Sequence, residues 1–185
     1  MATTTLPLAT GTWTFDPNHS GVHFKVRHLG LTNVRGRFNR VNATLVVGED
    51  LASTHLSAEI DITSIDTNQP DRDAHLLSTD FFAADSHPKM TFTSTAIRET
   101  GGDEYEADGE LTINGITKPV TLNVEFSGAI THPGDGKLHA GFTATAQIVR
   151  DDFGIDFNMP LGVDKFALGK KIDIDIDVQF TAPEA

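Results

Sequence analysis

Cysteine is absent from this 185-residue chain, which removes disulfides, thiol nucleophiles and thiolate metal sites together. Positive charge is scarce. Against 26 Asp plus Glu stand 14 Lys plus Arg, a formal charge of -12 with histidine neutral. Such a surface repels phosphate backbones, so no nucleic-acid partner is expected. No apolar run reaches the length of a membrane span. The opening MATTTLPLAT has neither a basic region nor a long apolar core; cytoplasmic residence is therefore expected, with periplasmic or secreted residence as the alternative.

Motifs with built-in chemistry are missing as well. There is no glycine-rich phosphate loop, His-x-x-His pair, calcium loop or Gly-x-Ser-x-Gly elbow. His19 and His23 would make at most an incomplete metal site. Ser86-His87 near Asp85, and Ser20 near His19 and Asp16, read as turn and capping residues, because neighbours in sequence do not by themselves converge as a triad. No catalytic, cofactor or metal residue is assigned, and the chain is expected not to be an enzyme.

What is present is alternation. From Glu104 to Gly128, Tyr105, Ala107, Gly109, Leu111 and Ile113 alternate with polar neighbours, Val120, Leu122, Val124 and Phe126 do so on the return, and Asn114-Gly115 marks the turn. Pro119 lacks an amide hydrogen and is placed at the first position of the return strand. Val22, Phe24, Val26 and His28 share one face of a strand over 20–29. A second stretch, 32–47, changes parity between Phe38 and Val41, as a β-bulge would. Further strands are read at 11–16, 56–62, 89–97, 138–150 and 170–180.

Two stretches break the pattern. Pro70 with Asp71 and Asp73 suits the first turn of a helix, predicted over Pro70–Leu77, with a second helical turn at 79–83. Residues 151–169 form an irregular, apolar excursion carrying Phe153, Ile155, Phe157, Met159, Leu161, Val163, Phe166 and Leu168. The fold class is all-β, a sandwich or a barrel. Long strands, a bulge and interior glycines at Gly36 and Gly109 favour an extended antiparallel barrel of about eight strands, one domain over 11–182 preceded by a flexible 1–10. Lys25, Arg27, Arg35 and Arg37 fall on an outer face, a candidate for transient membrane contact, and Asp173, Asp175 and Asp177 form a solvent-facing row. Exposed strand edges and the apolar excursion make a homodimer a reasonable expectation.

The runs HSGVHFKVRHLGLTNVRGRFNRV, STHLSAEIDITSIDTNQPDRDAHLLSTDFFAADSHPKMTFTST, YEADGELTINGITKPVTLNVEF and GFTATAQIVRDDFGIDF resemble, in order, the signatures of the YceI-like family of polyisoprenoid-binding proteins, over roughly Trp13 to Phe180. The resemblance implies a lipocalin-like barrel around a long apolar cavity for an isoprenoid or similar amphiphile, such as a prenyl quinone or prenyl phosphate. It transfers no catalytic motif. On that footing Phe24, Val26, Phe38, Phe92, Phe126 and Phe142 are expected to line a slot. Leu76, Leu77, Phe81, Phe82, Phe153 and Phe157 are expected to flank its mouth, and His28, His75, Arg72 and Arg150 are candidates for the ligand's polar head. The expected function is binding, transport or storage of such a lipid, with no cofactor beyond it. The alternatives are an enzyme acting on a cavity-bound lipid through His28 or His75, and a structural barrel whose interior is simply core.

Overall fold

The computed structural model describes residues 5–162 and 165–184, and its chain meanders around a closed sheet. Strands β1 (Gly11–Phe15) and β2 (Gly21–His28) are halves of one stave interrupted at Pro17; β3 (Thr32–Phe38) and β4 (Val41–Val47) are halves of the next. β2 pairs with β3 and β1 with β4, so the two broken staves run side by side. The third stave is β5 (His55–Asp61), paired with β4 and continued by the two-residue β6 (Ile65–Asp66) against β3. Then come a short helix α1 (Pro70–Leu76) and the strands β7 (Lys89–Gly101), β8 (Glu104–Ile113), β9 (Ile116–Thr131) and β10 (Leu138–Val149). A small separate ribbon, β11 (Pro160–Gly162) with β12 (Lys165–Phe166), precedes the last stave, β13 (Leu168–Thr181). β13 closes the ring on the first stave, meeting β1 at Thr14 and Phe15 and β2 from Gly21 to His28. Closure makes this an eight-stave antiparallel barrel and leaves no place for a sandwich.

The local chemistry explains the joints. Asn114 and Gly115 take φ of 54° and 73°, the left-handed pair a two-residue hairpin requires, and Ile113 faces Ile116 across it. Pro119 is not at the start of the return strand but inside it, opposite Glu110. It is tolerated because hydrogen-bonded and non-bonded pairs alternate outward from Ile113–Ile116, which turns its nitrogen away from β8, and β10 pairs with β9 only from Asn123 onward. The parity change after Phe38 becomes a break at Asn39-Arg40, whose amides bond to the carbonyl and hydroxyl of Ser64 at 3.1 and 2.9 Å.

The two interior glycines admit aromatic rings. A Cβ on Gly36 would lie 2.3 Å from Phe24 Cζ, and one on Gly109 would lie 2.3 Å from Phe92 Cζ, so each ring lies flat across the neighbouring stave.

The barrel's two ends differ. One is plugged by Leu6, Trp13, Phe15, Leu51, Phe126, Phe142 and Phe180, with Trp13 fully buried and its Nε1 donating to Ala9 O at 2.9 Å. Leu6, within the stretch 1–10 expected to be flexible, is buried in this plug although no periodicity surrounds it. Residues 1–4 of that stretch, and Val163 of the apolar excursion, lie outside the described residues. At the other end gather the 29–31 turn, α1, the 114–115 turn and residues 150–162 and 165–168, tied together by Leu29 N to Ala167 O at 2.7 Å and Asn114 Nδ2 to Phe153 O at 3.2 Å. The second helical turn expected at 79–83 is instead a run of irregular turns, with Ala83 left-handed at φ 47° so that the amides of Ser86 and His87 both reach its carbonyl.

An apolar cavity inside the barrel

Alternation places every second side chain of a stave inside, and in this barrel the inside is not filled. A cavity of about 250 Å³ runs between the plugged end and the turn-rich end, and its exposed lining is apolar. Along β13 the lining residues run from Leu168 through Ile172, Ile174, Ile176 and Val178 to Phe180, about 40 Å of extended chain at 3.3 Å per residue. The slot is therefore long. Small side chains opposite keep it open: Ala58, Ala107 and Ala144 all border it.

Of the residues picked from sequence, Phe24, Val26, Phe38, Phe92 and Phe142 line the cavity along the staves, and Leu76, Phe81, Phe82 and Phe153 line it at the turn-rich end. The structure does not place Phe126, Leu77, Phe157, His28 or His75 on that lining. Phe126 points inward but belongs to the plug, its ring centre 5.2 Å from that of Phe142. Leu77 packs against the core from outside the slot. Phe157 stacks on the outer side of Phe81 at 5.2 Å, and His75 covers both at 5.1 and 5.2 Å while bonding Asp80 at 2.8 Å. His28 has the inward parity and ends β2 opposite Thr32 and Leu168, where the slot ends, but its own side chain is not on the lining. Parity tells which face a side chain takes; it does not tell the height at which it stands.

The polar candidates turn out to be braces. Arg150 is 5 % exposed, and its guanidinium donates to three carbonyls: Nε to Gly169 at 2.9 Å, Nη1 to Ile155 at 3.0 Å and to Phe157 at 2.8 Å. Burial pulls its pKa down, against the opposing pull of Asp151 and Asp156. It pins the excursion over the end of the barrel while its stem borders the slot. Arg72 is engaged with Thr67, Nε to Oγ1 at 2.7 Å and Nη2 to the carbonyl at 2.6 Å.

Sequence reasoning passed over several lining residues, although the signal for them was the same alternation. Ile172, Ile174 and Ile176 of β13 alternate with the Asp173, Asp175 and Asp177 row and so face the slot. Tyr105 lines it at the plugged end, its hydroxyl pKa raised by burial and then by the nearby Glu99 and Asp103 carboxylates. Among the described residues no carboxylate borders the cavity, and no group of metal-ligating side chains faces it.

On the outer wall, the cross-strand pairs His23–Arg37 and Lys25–Arg35 set the basic residues side by side. The acidic row lies directly beside them, Asp173 opposite Lys25 and Asp175 opposite His23, with Lys25 Nζ 4.0 Å from Asp173. Opposite signs on neighbouring staves neutralise the patch. Exposed apolar side chains gather elsewhere, at the turn-rich end, where Leu29, Leu31, Met159, Leu161 and Phe166 are all exposed; Val46 and Ile130 are exposed singly, away from it.

Comparison with known proteins gives a consistent picture. The YceI-like domain matches residues 13–180. A UPF0312 protein of Staphylococcus epidermidis is 37% identical over 168 residues, 90% of this chain and 95% of that protein. The crystal structure of the YceI protein of Campylobacter jejuni is 31% identical, with a TM-score of 0.70 over 86% of this chain and 91% of that one. A polyisoprenoid binding domain from Saccharophagus degradans, implicated in plant cell wall breakdown, shares the fold with a TM-score of 0.65 at 13% identity, covering 95% of this chain and 100% of that one.

Proposed function

The chain belongs to the YceI-like family, and from that membership together with the unfilled apolar slot we propose that it binds a polyisoprenoid or similar long-chain amphiphile, such as a prenyl quinone or prenyl phosphate, without transforming it. The cavity carries the reading. At roughly 24 cal/mol per Å³, an apolar void of about 250 Å³ left unfilled would cost about 6 kcal/mol, comparable with the whole stability of a domain. A barrel whose interior served only as core would close that space with larger side chains. Each methylene taken into the slot contributes about 0.8 kcal/mol of transfer free energy, so an apolar chain needs no polar anchor to be held. Length and uniform apolarity favour a linear hydrocarbon over a compact ligand. The polyisoprenoid binding domain of Saccharophagus degradans, which shares this fold, supports the isoprenoid class.

Carriage or storage follows from this chemistry better than catalysis does. An acid–base step needs an ionisable group against the reacting atoms. His75 is committed to Asp80 on the outer side of the cap, and of the ionisable residues along the described lining His23 turns its side chain to the outer wall, Arg150 is tied to carbonyls and Tyr105 stands at the plugged end. The exposed apolar rim around Leu31 and Phe166 is read as the side from which lipid enters out of a membrane.

Ala144 tests the reading. Its side chain borders the slot, so Ala144→Phe should fill the space it leaves. Titration with a fluorescent prenyl quinone analogue should show wild-type binding and a loss of about tenfold or more in the variant, with the melting temperature held or raised. Equal binding by both proteins would place the ligand somewhere other than this slot.

A further inference from the structure

A second cluster lies on the outer wall at the plugged end, away from the slot. The first stave breaks there between β1 and β2, and its connector is stapled to β13 by Asp16 N to Gln179 O at 2.9 Å and Gln179 N to Ser20 Oγ at 3.0 Å. The β9–β10 turn folds over the same spot. It brings His132 and Asp135 onto His139, the second residue of β10, so that one ring nitrogen of each histidine and one carboxylate oxygen lie within 4.8 Å of one another.

His139 has the wrong surroundings for an ordinary surface histidine. It is 7% exposed, and its Nε2 meets Asp135 Oδ2 at 2.9 Å. Its Nδ1 is the single buried side-chain nitrogen or oxygen among the described residues that has no hydrogen-bond partner. That atom faces Asp16 Oδ2 across 3.9 Å, too far for a hydrogen bond. Asp16 is in turn fixed by Asn18 N at 2.9 Å and by His19 Nδ1 at 2.8 Å. If a neutral His139 donates from Nε2 to Asp135, its Nδ1 is left as a bare lone pair in a buried site beside a carboxylate, an arrangement that costs free energy.

We propose that His132, Asp135 and His139 bind one divalent transition-metal ion of the zinc type, with Asp16 as the outer carboxylate that holds His139 in the ligating tautomer. When His139 Nε2 ligates the ion, its proton resides on Nδ1 and points at Asp16 Oδ2, which removes the orphaned lone pair and gives the carboxylate–histidine–metal relay common in such sites. Two imidazoles and one carboxylate, without thiolate, suit zinc, cobalt or nickel; a single carboxylate is too few oxygen ligands for calcium. Ligand atoms around zinc at about 2.1 Å stand about 3.4 Å apart, so the group must contract somewhat. His132 and Asp135 can do so, since their side chains are 44% and 42% exposed. Three protein ligands leave a fourth position open to water.

The test is a titration of the full chain, prepared without a polyhistidine tag and stripped with EDTA, with Co²⁺ read by its visible absorption and then displaced by Zn²⁺. A single equivalent of cobalt with the intense bands of a low-coordinate site is expected. His132→Ala, on an exposed side chain, should weaken binding about tenfold or more, and Asp16→Asn about 10–100-fold. Absence of those bands would overturn the proposal. So would cobalt binding of equal strength in wild type and His132→Ala. The slot lies on the other side of the wall, so lipid binding should be the same in these variants as in wild type.

Discussion

At the scale of single residues, what keeps the interior ordered is the exchange of a side chain on one stave for a ring from the next. Gly36 and Gly109 look equivalent, yet their surroundings differ. The three atoms nearest a Cβ at Gly36 would all be side-chain atoms, of Phe24 and Thr67, whereas one of the three nearest at Gly109 is the backbone oxygen of Thr93 at 2.6 Å. Side chains yield and ladders do not. Gly109→Ala is therefore expected to destabilise by about 1–3 kcal/mol and by more than Gly36→Ala, read as a lower urea midpoint at unchanged slope. The reverse order would contradict the flat packing of Phe92 across β8. Acid sensitivity is also set residue by residue. The Asp61 carboxyl is held below the ordinary range by hydrogen bonds from Thr63, which with Arg40 outweigh its desolvation. A depressed folded pKa contributes stability that is complete above the unfolded value near 4 and is lost as pH falls through the folded one. The urea midpoint should accordingly drop on acidification below about pH 4, and Asp61→Asn should drop less steeply over the same range.

At the scale of elements, the sequence is most informative where a local rule leaves one solution. Asn114-Gly115 fixes its hairpin, Pro70 starts α1, and the isoleucines of β13 fix its dry face. It is least informative where tertiary contact decides. Nothing around Leu6 announces that it is buried, nothing in the alternation separates Phe126, confined to the plug, from Phe142, which borders both plug and slot, and the turns of 79–83 are held by contacts rather than by helix propensity. The H-x-x-D-x-x-x-H spacing from His132 to His139 becomes visible only once the β9–β10 turn folds back on itself and β1 delivers Asp16 beside it. The turn-rich end carries its own expectation. If Leu31 and Phe166 form the entry rim, Leu31→Asp with Phe166→Asp should slow transfer of a prenyl quinone from neutral vesicles about tenfold while the melting temperature stays within about 2 °C, because both side chains are exposed. Unchanged transfer would place entry at another part of the barrel.

At the scale of the whole molecule, closure and hollowness belong together. Eight staves leave an interior just wide enough for side chains or one small ligand, and this chain divides its length between the two, a dense plug below and a slot above. The plug anchors the first stave through Trp13, Arg150 holds the excursion down at the other end, and the slot between them is bounded by side chains with nothing to donate or accept except at its limits. Charge is kept outside, where acidic and basic rows pair across staves.

The most direct measurement is native mass spectrometry of the protein as purified from cells, followed by solvent extraction and mass analysis of what is released. The account predicts a population carrying one long-chain lipid per molecule, and uptake of an added prenyl lipid by whatever fraction arrives without one. A single mass equal to the polypeptide, with no uptake when prenyl lipids are offered, would contradict it.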